Sequence, residues 1–288
     1  MTHGEIGYIE LLRGLAVHPA ARGLADDVAV IPFGSETLIL THDTLVEGIH
    51  VREGEDAADI AWKLIAVNLS DLAAKGAEPI GVLVSHMLGE DDDAFVEGLR
   101  EVLESYRVPL LGGDTVRAEG RRVWGCTALA RATCTPVPDR RGAKPGDAVY
   151  VTGSLGLAML GIEVRGSGSI EDLAYRRPTP LLDLGRSLAP HVTAMMDISD
   201  GLLLDAMRMA KASGCTIALE AASLQPLTPI GRFDAALRWG DDYQLLLTAP
   251  EGLEAHFSVT RIGVVEDAGG SSLLLDGRPP VEPLGFSH

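Results

Sequence analysis

Five short strings set an aspartate beside a turn or at the end of an apolar run. They are Ala25-Asp26-Asp27, Thr41-His42-Asp43-Thr44, Asn68-Leu69-Ser70-Asp71, Gly112-Gly113-Asp114-Thr115 and Asp197-Ile198-Ser199-Asp200-Gly201; a sixth, Gly240-Asp241-Asp242-Tyr243, follows. Taken singly, each has an ordinary explanation: a solvated turn at Asp26-Asp27, a tight turn at Gly112-Gly113-Asp114, a helix N-cap at Ser199-Asp200-Gly201. Asp71 and Asp43 fit such explanations less well, because each interrupts or ends an apolar stretch, where a carboxylate needs a cation or donors. Two unit charges 4 Å apart repel by about 4 kcal/mol at an effective dielectric near 20. If four or more of these carboxylates converge, only divalent cations or bound protons relieve the repulsion. All-oxygen ligands favour magnesium, manganese or calcium over zinc.

Metals of that kind commonly serve phosphate chemistry. The sequence has no G-x-x-x-x-G-K-[ST] loop and no H-R-D or D-F-G kinase set, so any phosphates must be held mainly through metals. Gly153-Ser154-Leu155-Gly156 follows an apolar run and opens a helical one, which offers amides to a phosphate or forms a plain turn. The 288 residues carry 41 acidic and 24 basic side chains, a formal charge of -17. That balance argues against nucleic acid, whose backbone needs a basic face. A small phosphorylated substrate stays compatible, since bound cations invert the local charge.

The elements that must position these residues follow from periodicity. Val28–Ile31, Leu38–Thr41, Ile80–Met87, Val123–Ala132, Ala148–Thr152, Ala194–Ile198 and Tyr243–Thr248 read as strands. Asp59–Ala74, Asp92–Tyr106, Gly156–Arg165 and Gly201–Ser213 read as helices. The stretch Thr133–Asp147 is rich in proline, glycine and charge, and divides the chain into 1–138 and 139–288. Strands and helices alternate in both parts, which predicts an α/β or α+β protein. Cys126, Cys134 and Cys215 are too few and too irregular for a disulfide framework or a thiolate metal site, and read as small core residues. Residues 1–18 lack a signal-peptide core and no apolar run is long enough to span a bilayer, so the expectation is a cytoplasmic protein.

Read in order, the strings resemble those of thiamine-monophosphate kinase, in the superfamily of aminoimidazole ribonucleotide synthetase and selenophosphate synthetase. The resemblance is carried by THDTLVEGIH (41–50), AVNLSDLAAKGAEP (66–79), GGDT (112–115), RGAKPGDAVYVTG (141–153) and DISDGL (197–202). It implies a two-domain fold like that of the ribonucleotide synthetase: an N-terminal mixed sheet with helices (1–138) that binds metal and ATP and dimerises, and a C-terminal α/β domain (139–288) that completes the site. It implies direct transfer of the γ-phosphoryl group of ATP to thiamine monophosphate, with several Mg2+ ions and no acid–base or nucleophilic residue assigned. By similarity, Asp27, Thr41, Asp43, Asp71, Asp114, Asp197 and Asp200 would ligate metal, and His42, standing where the family has threonine, would do so only through its backbone. Gly113, Asp114, Arg140 and Ser199 would contact ATP. His50, Asp241 and Phe286 would face the acceptor.

The departures fall mainly on the acceptor side. Asp241 replaces a glutamate, which retracts the carboxylate by about 1.5 Å. Pro283 stands where a tryptophan is expected, with Phe286 nearby. Leu155-Gly156-Leu157-Ala158 replaces a proline-glycine-aspartate-serine string, and Gly23-Leu24-Ala25 a glycine-isoleucine-glycine. Two further readings compete: an ATP-dependent ligase or cyclase of the ribonucleotide synthetase type, and a non-catalytic nucleotide-binding relative.

Overall fold

The structure is a computed structural model that describes residues 5–287. Its first part runs α1 (Glu5–Arg13), β1 (Ala29–Phe33), β2 (Glu36–Val46), α2 (Ala57–Ala74), β3 (Ala77–Met87), α3 (Asp92–Tyr106), β4 (Leu110–Val116) and β5 (Val123–Ala132). The second part runs β6 (Ala148–Val151), α4 (Leu157–Glu163), α5 (Ile170–Arg176), α6 (Leu182–Leu188), β7 (Ala194–Asp197), α7 (Leu202–Ser213), β8 (Thr216–Leu219), α8 (Ala221–Leu224), α9 (Phe233–Trp239), β9 (Leu245–Ala249), β10 (Thr260–Glu266) and β11 (Leu273–Leu275). Two mixed sheets result, ordered β1-β2-β5-β3-β4 and β11-β8-β10-β6-β9-β7.

Helix α2 lies between the sheets. Asp56 caps its start, accepting the Ala58 amide at 2.8 Å. Nearly every residue from Ala57 to Ala74 is buried, as expected of a helix enclosed on all sides rather than one lying on a surface. It packs on β2, β3 and β5 on one side and on α5, α6 and β7 on the other. Neighbouring helices approach closely because they present glycine: a Cβ at Gly98 of α3 would stand 2.2 Å from the Ala58 oxygen, and one at Gly185 of α6 2.0 Å from the Ala73 oxygen.

The second sheet is covered on both faces, and its strands alternate accordingly. Ala148, Tyr150, Met195, Leu245 and Leu247 join the core around α2, while Val149, Val151, Ala194, Met196 and Leu246 join a second core with Leu203, Ala206 and Met209 of α7. The first sheet is covered on one face only. Leu83 and Val123 are exposed, and so is every residue of β4.

Expected bounds for α3 and β5 coincide with those observed, and the other expected strands and helices are recovered with shifts of a few residues at their ends. Gly112-Gly113-Asp114 forms no tight turn; it lies inside β4, parallel to β3, with Val84 opposite Gly113 and Ser85 opposite Asp114. Gly113 is required there by close approach, since a Cβ would stand 1.8 Å from the Val84 oxygen. Among the described residues, no helix is long and apolar enough to cross a membrane.

Candidate active site

Asp27, Asp71 and Asp197 each place a carboxylate oxygen within 4.8 Å of the other two. Asp27 comes from the segment before β1, Asp71 from the last turns of α2, and Asp197 from the end of β7, so the group forms where α2 meets both sheets. Local bonds orient it. The Ser70 hydroxyl donates to Asp197 at 2.6 Å, and the Thr41 hydroxyl donates to Asp71. Asn68 accepts the Asp43 amide at 3.1 Å and donates to the Leu64 carbonyl at 2.9 Å, tying β2 to α2 at this point.

The charges are strained electrostatically. Desolvation, then the charges of Asp27 and Asp200, raise the Asp43 pKa to about 6. Desolvation and Asp27 raise that of Asp197 to about 8, against the Ser70 hydrogen bond. Asp71 is raised well above the carboxylate range by burial and by Asp43, Asp197 and Asp27. Among the described residues no lysine or arginine pairs with Asp43, Asp71 or Asp197. These three carboxylates, two of them buried and none with a protein cation among the described residues, suit a hard divalent ion.

Around this group the expected residues divide. Arg140 donates to Asp27 and lies 3.8 Å from Asp26. Asp200 pairs with Arg208, and Asp205 on α7 accepts the Ser199 and Asp200 amides at 3.2 and 3.1 Å, holding the DISD turn. Ser199 is exposed and does not cap α7, whose first turn follows Gly201 without a side-chain cap. Thr41 turns its hydroxyl to a carboxylate. The His42 ring leaves on the opposite face of β2, bonded to Thr127 at 2.9 Å, so its side chain is no metal ligand; alternation along the strand dictates this. Asp114 and Gly113 are not brought to the group. Three strand spacings separate β4 from β2, roughly 14 Å. In the Gly153–Gly156 turn two amides are already engaged, because Leu155 donates to the Leu227 carbonyl and Gly156 to Asp242 at 2.7 Å.

His50, Asp241 and Phe286 are gathered on the Ser199-Asp200 side of the group, where the Asp241 amide donates to the Ser199 carbonyl at 2.7 Å. The Val46 amide donates to His50 Nδ1 at 3.0 Å. A neutral ring therefore carries its proton on Nε2, and that nitrogen donates rather than accepts. The Phe286 ring meets His50 edge-on at 6.5 Å, and its amide donates to the Asp200 carbonyl at 2.9 Å. Asp241 pairs with Lys63 of α2. Lys63, Asn68 and Ser70 had no assigned role in the sequence; the signal for all three was a polar side chain inside an apolar helical run.

The N-terminal domain profile of AIR synthase related protein matches residues 25–132, and the C-terminal domain profile matches 144–276. The chain is 35% identical to thiamine-monophosphate kinase of Caulobacter vibrioides, over 94% of this chain and 86% of the relative. It is 32% identical to that of Aquifex aeolicus, over 99% and 98%. The chain belongs to the thiamine-monophosphate kinase family. A solved structure described as AaThiL complexed with AMPPCP and TMP superposes with a TM-score of 0.88 at 30% identity, covering 100% of this chain and 99% of that one. The hydrogenase maturation protein HypE shares the fold, with a TM-score of 0.70 at 19% identity.

Within this family frame, the two-domain α/β fold implied by the strings is the one observed, with Asp43, Asp71 and Asp197 gathered from three of them.

Proposed function

We propose that this protein transfers the γ-phosphoryl group of ATP to thiamine monophosphate, forming thiamine diphosphate and ADP. The observation that carries the reading is the group of Asp27, Asp71 and Asp197 with Asp43 beside it, in which Asp43, Asp71 and Asp197 have no cationic partner among the described residues, in a chain that aligns throughout with a kinase structure complexed with AMPPCP and TMP. Those four aspartates would hold Mg2+, with Asp200 beside them and Thr41 orienting Asp71. Mg2+ there supplies charge neutralisation for the transferring phosphoryl group, and several ions suit the number of carboxylates.

The chain's own residues do the rest by positioning. Arg140 and Ser199 face the nucleotide from the second domain. His50 donates from Nε2 to the acceptor phosphate, while Asp241 and Phe286 bound the acceptor's far side. With Val46 donating to Nδ1, His50 binds and does not act as a base. An acceptor phosphate oxygen is already ionised at neutral pH, so in-line attack on the γ-phosphorus needs no base.

The uncovered face of the first sheet supports a homodimer. Leu83, Leu110, Leu111 and Val116 are each 46–52% exposed around the free edge of β4, a face that a second copy would bury. Such a copy would bring Asp114 and Gly113 of β4 toward its partner's aspartates, which lie too far away within one subunit. The division at 138/139 separates the two sheets, and the expected setting is the cytoplasm.

Incubation of purified protein with ATP, Mg2+ and thiamine monophosphate, followed by chromatography, tests the reading. Thiamine diphosphate with stoichiometric ADP is expected. Free phosphate with a cyclised or ligated product from a different substrate, or binding without turnover, would replace it.

A further inference from the structure

The acceptor end contains a buried cation that the metal group does not use. Lys63 sits within α2 and is 2% exposed. Its ammonium donates to the Asp241 carboxylate and to the His50 carbonyl at 3.3 Å, and stands 4.2 Å from the centroid of the Tyr175 ring on α5. Arg52 lies over the same ring at 4.5 Å. Asp241 is held from a second direction by Tyr243, to which it is hydrogen-bonded, and its backbone sits at φ +60°. A desolvated ammonium is costly unless its donor directions are met; here a carboxylate, a carbonyl and a ring face meet them.

Other bonds already hold these segments together. Trp62 donates to the Pro178 carbonyl at 3.1 Å, Arg52 to the Ile162 carbonyl at 3.2 Å, and Arg176 and Arg177 both pair with Asp59. Lys63 is therefore not needed to attach α5 to α2. Its ammonium joins His50 to Asp241, two acceptor-side residues 191 positions apart in sequence.

We propose that Lys63 is a positioning residue for the acceptor. One ammonium fixes the His50 loop and the Asp241 turn to the helix that carries Asp71, and it cancels the Asp241 charge that would repel a phosphate monoester. The proposal rests on the kinase reading for the identity of the acceptor, and it concerns the affinity of that subsite rather than the transfer step.

The test compares Lys63→Met, which keeps the stem and removes the ammonium, with Lys63→Arg. A hydrogen bond to a charged group corresponds to roughly a 10- to 100-fold change. The Michaelis constant for thiamine monophosphate is expected to rise by roughly that factor in Lys63→Met, with that for ATP within about threefold of wild type. Lys63→Arg should recover part of the loss. In Lys63→Met/Asp241→Asn the two effects should not add, because one interaction is removed. Calorimetric binding of thiamine monophosphate without ATP gives a readout independent of turnover. Equal affinity of wild type and Lys63→Met overturns the proposal whichever way the kinase assay falls. A parallel rise in both Michaelis constants with a lowered melting temperature also overturns it, in favour of a purely structural lysine. Should Lys63→Met fail to fold, Asp241→Asn carries the test, and an unchanged acceptor affinity there is the overturning result.

Discussion

Asp26 and Asp43 flank the same site and belong to opposite electrostatic regimes. Asp26 is buried, yet Lys75, Arg140 and Arg22 outweigh desolvation and hold its pKa below the ordinary value. Asp172, paired with Arg176 and the Gly166 and Gly168 amides, behaves the same way. Asp59 lies between two arginines. Asp71 and Asp197 are buried and Asp43 is half-buried, and among the described residues none has a cationic partner; their pKa values move up instead. A fold can satisfy a buried aspartate internally, and this one does so repeatedly. Leaving three at one point without a cationic partner among the described residues marks where an external cation belongs, and Asp27, shared with Arg140, stands at the border between the two sets.

The strongest way to break that comparison is at its unsatisfied members. Asp71→Asn and Asp197→Asn are each expected to lower turnover on the order of 100-fold or more, with no loss of melting temperature in EDTA, since a buried repulsion is removed. Near-normal rates would erase the distinction. The satisfied set should respond in the opposite sense. Lys75→Met leaves Asp26 buried without its main partner and is expected to cost about 3–5 kcal/mol in denaturant unfolding, while Mg2+ still raises the melting temperature. A cost below about 1 kcal/mol would show that Asp26 does not depend on Lys75.

Metal removal and pH sharpen the contrast further. Asp43 near 6 and Asp197 near 8 bind protons more tightly folded than unfolded, where aspartate titrates near 3.9. Their contribution to stability is complete below about pH 4 and is lost as pH rises through 6 and then 8. Metal-free protein should therefore melt at a falling temperature across that window. Mg2+ at a hundred times its dissociation constant would add about 2.7 kcal/mol and flatten the decline. Asp26 contributes with the opposite sign, present above its unfolded pKa and lost on acidification. A flat profile in EDTA would count against the repulsive group. The smallest effect is expected at Asp241→Glu, where the longer side chain should lower the acceptor Michaelis constant by roughly fivefold, about 1 kcal/mol; an unchanged constant would remove Asp241 from the acceptor contacts.

Legibility followed the range of the forces involved. Asp92–Tyr106 and Val123–Ala132 were readable because an apolar stripe and an apolar run are local signals. At Gly112-Gly113 the tight-turn alternative fails although local preference favours it, because the strand exists through pairing with β3 and the contact of Gly113 with Val84. The short strands β8, β10 and β11 went unread, since each is only part of a sheet whose partners lie elsewhere. Helix α2 was recognised, but its enclosure between two sheets was not.

By itself, the sequence determined which side chains could ligate a hard cation, their order, and the family whose strings they form, because type and local spacing are properties of the chain. Only the tertiary structure decided which carboxylates meet a lysine and which meet each other. Lys75 reaches Asp26 across 49 residues, Ser70 reaches Asp197 across 127, and Lys63 reaches Asp241 across 178. Coulombic and hydrogen-bond energies depend on separation in space, and no local pattern encodes that separation.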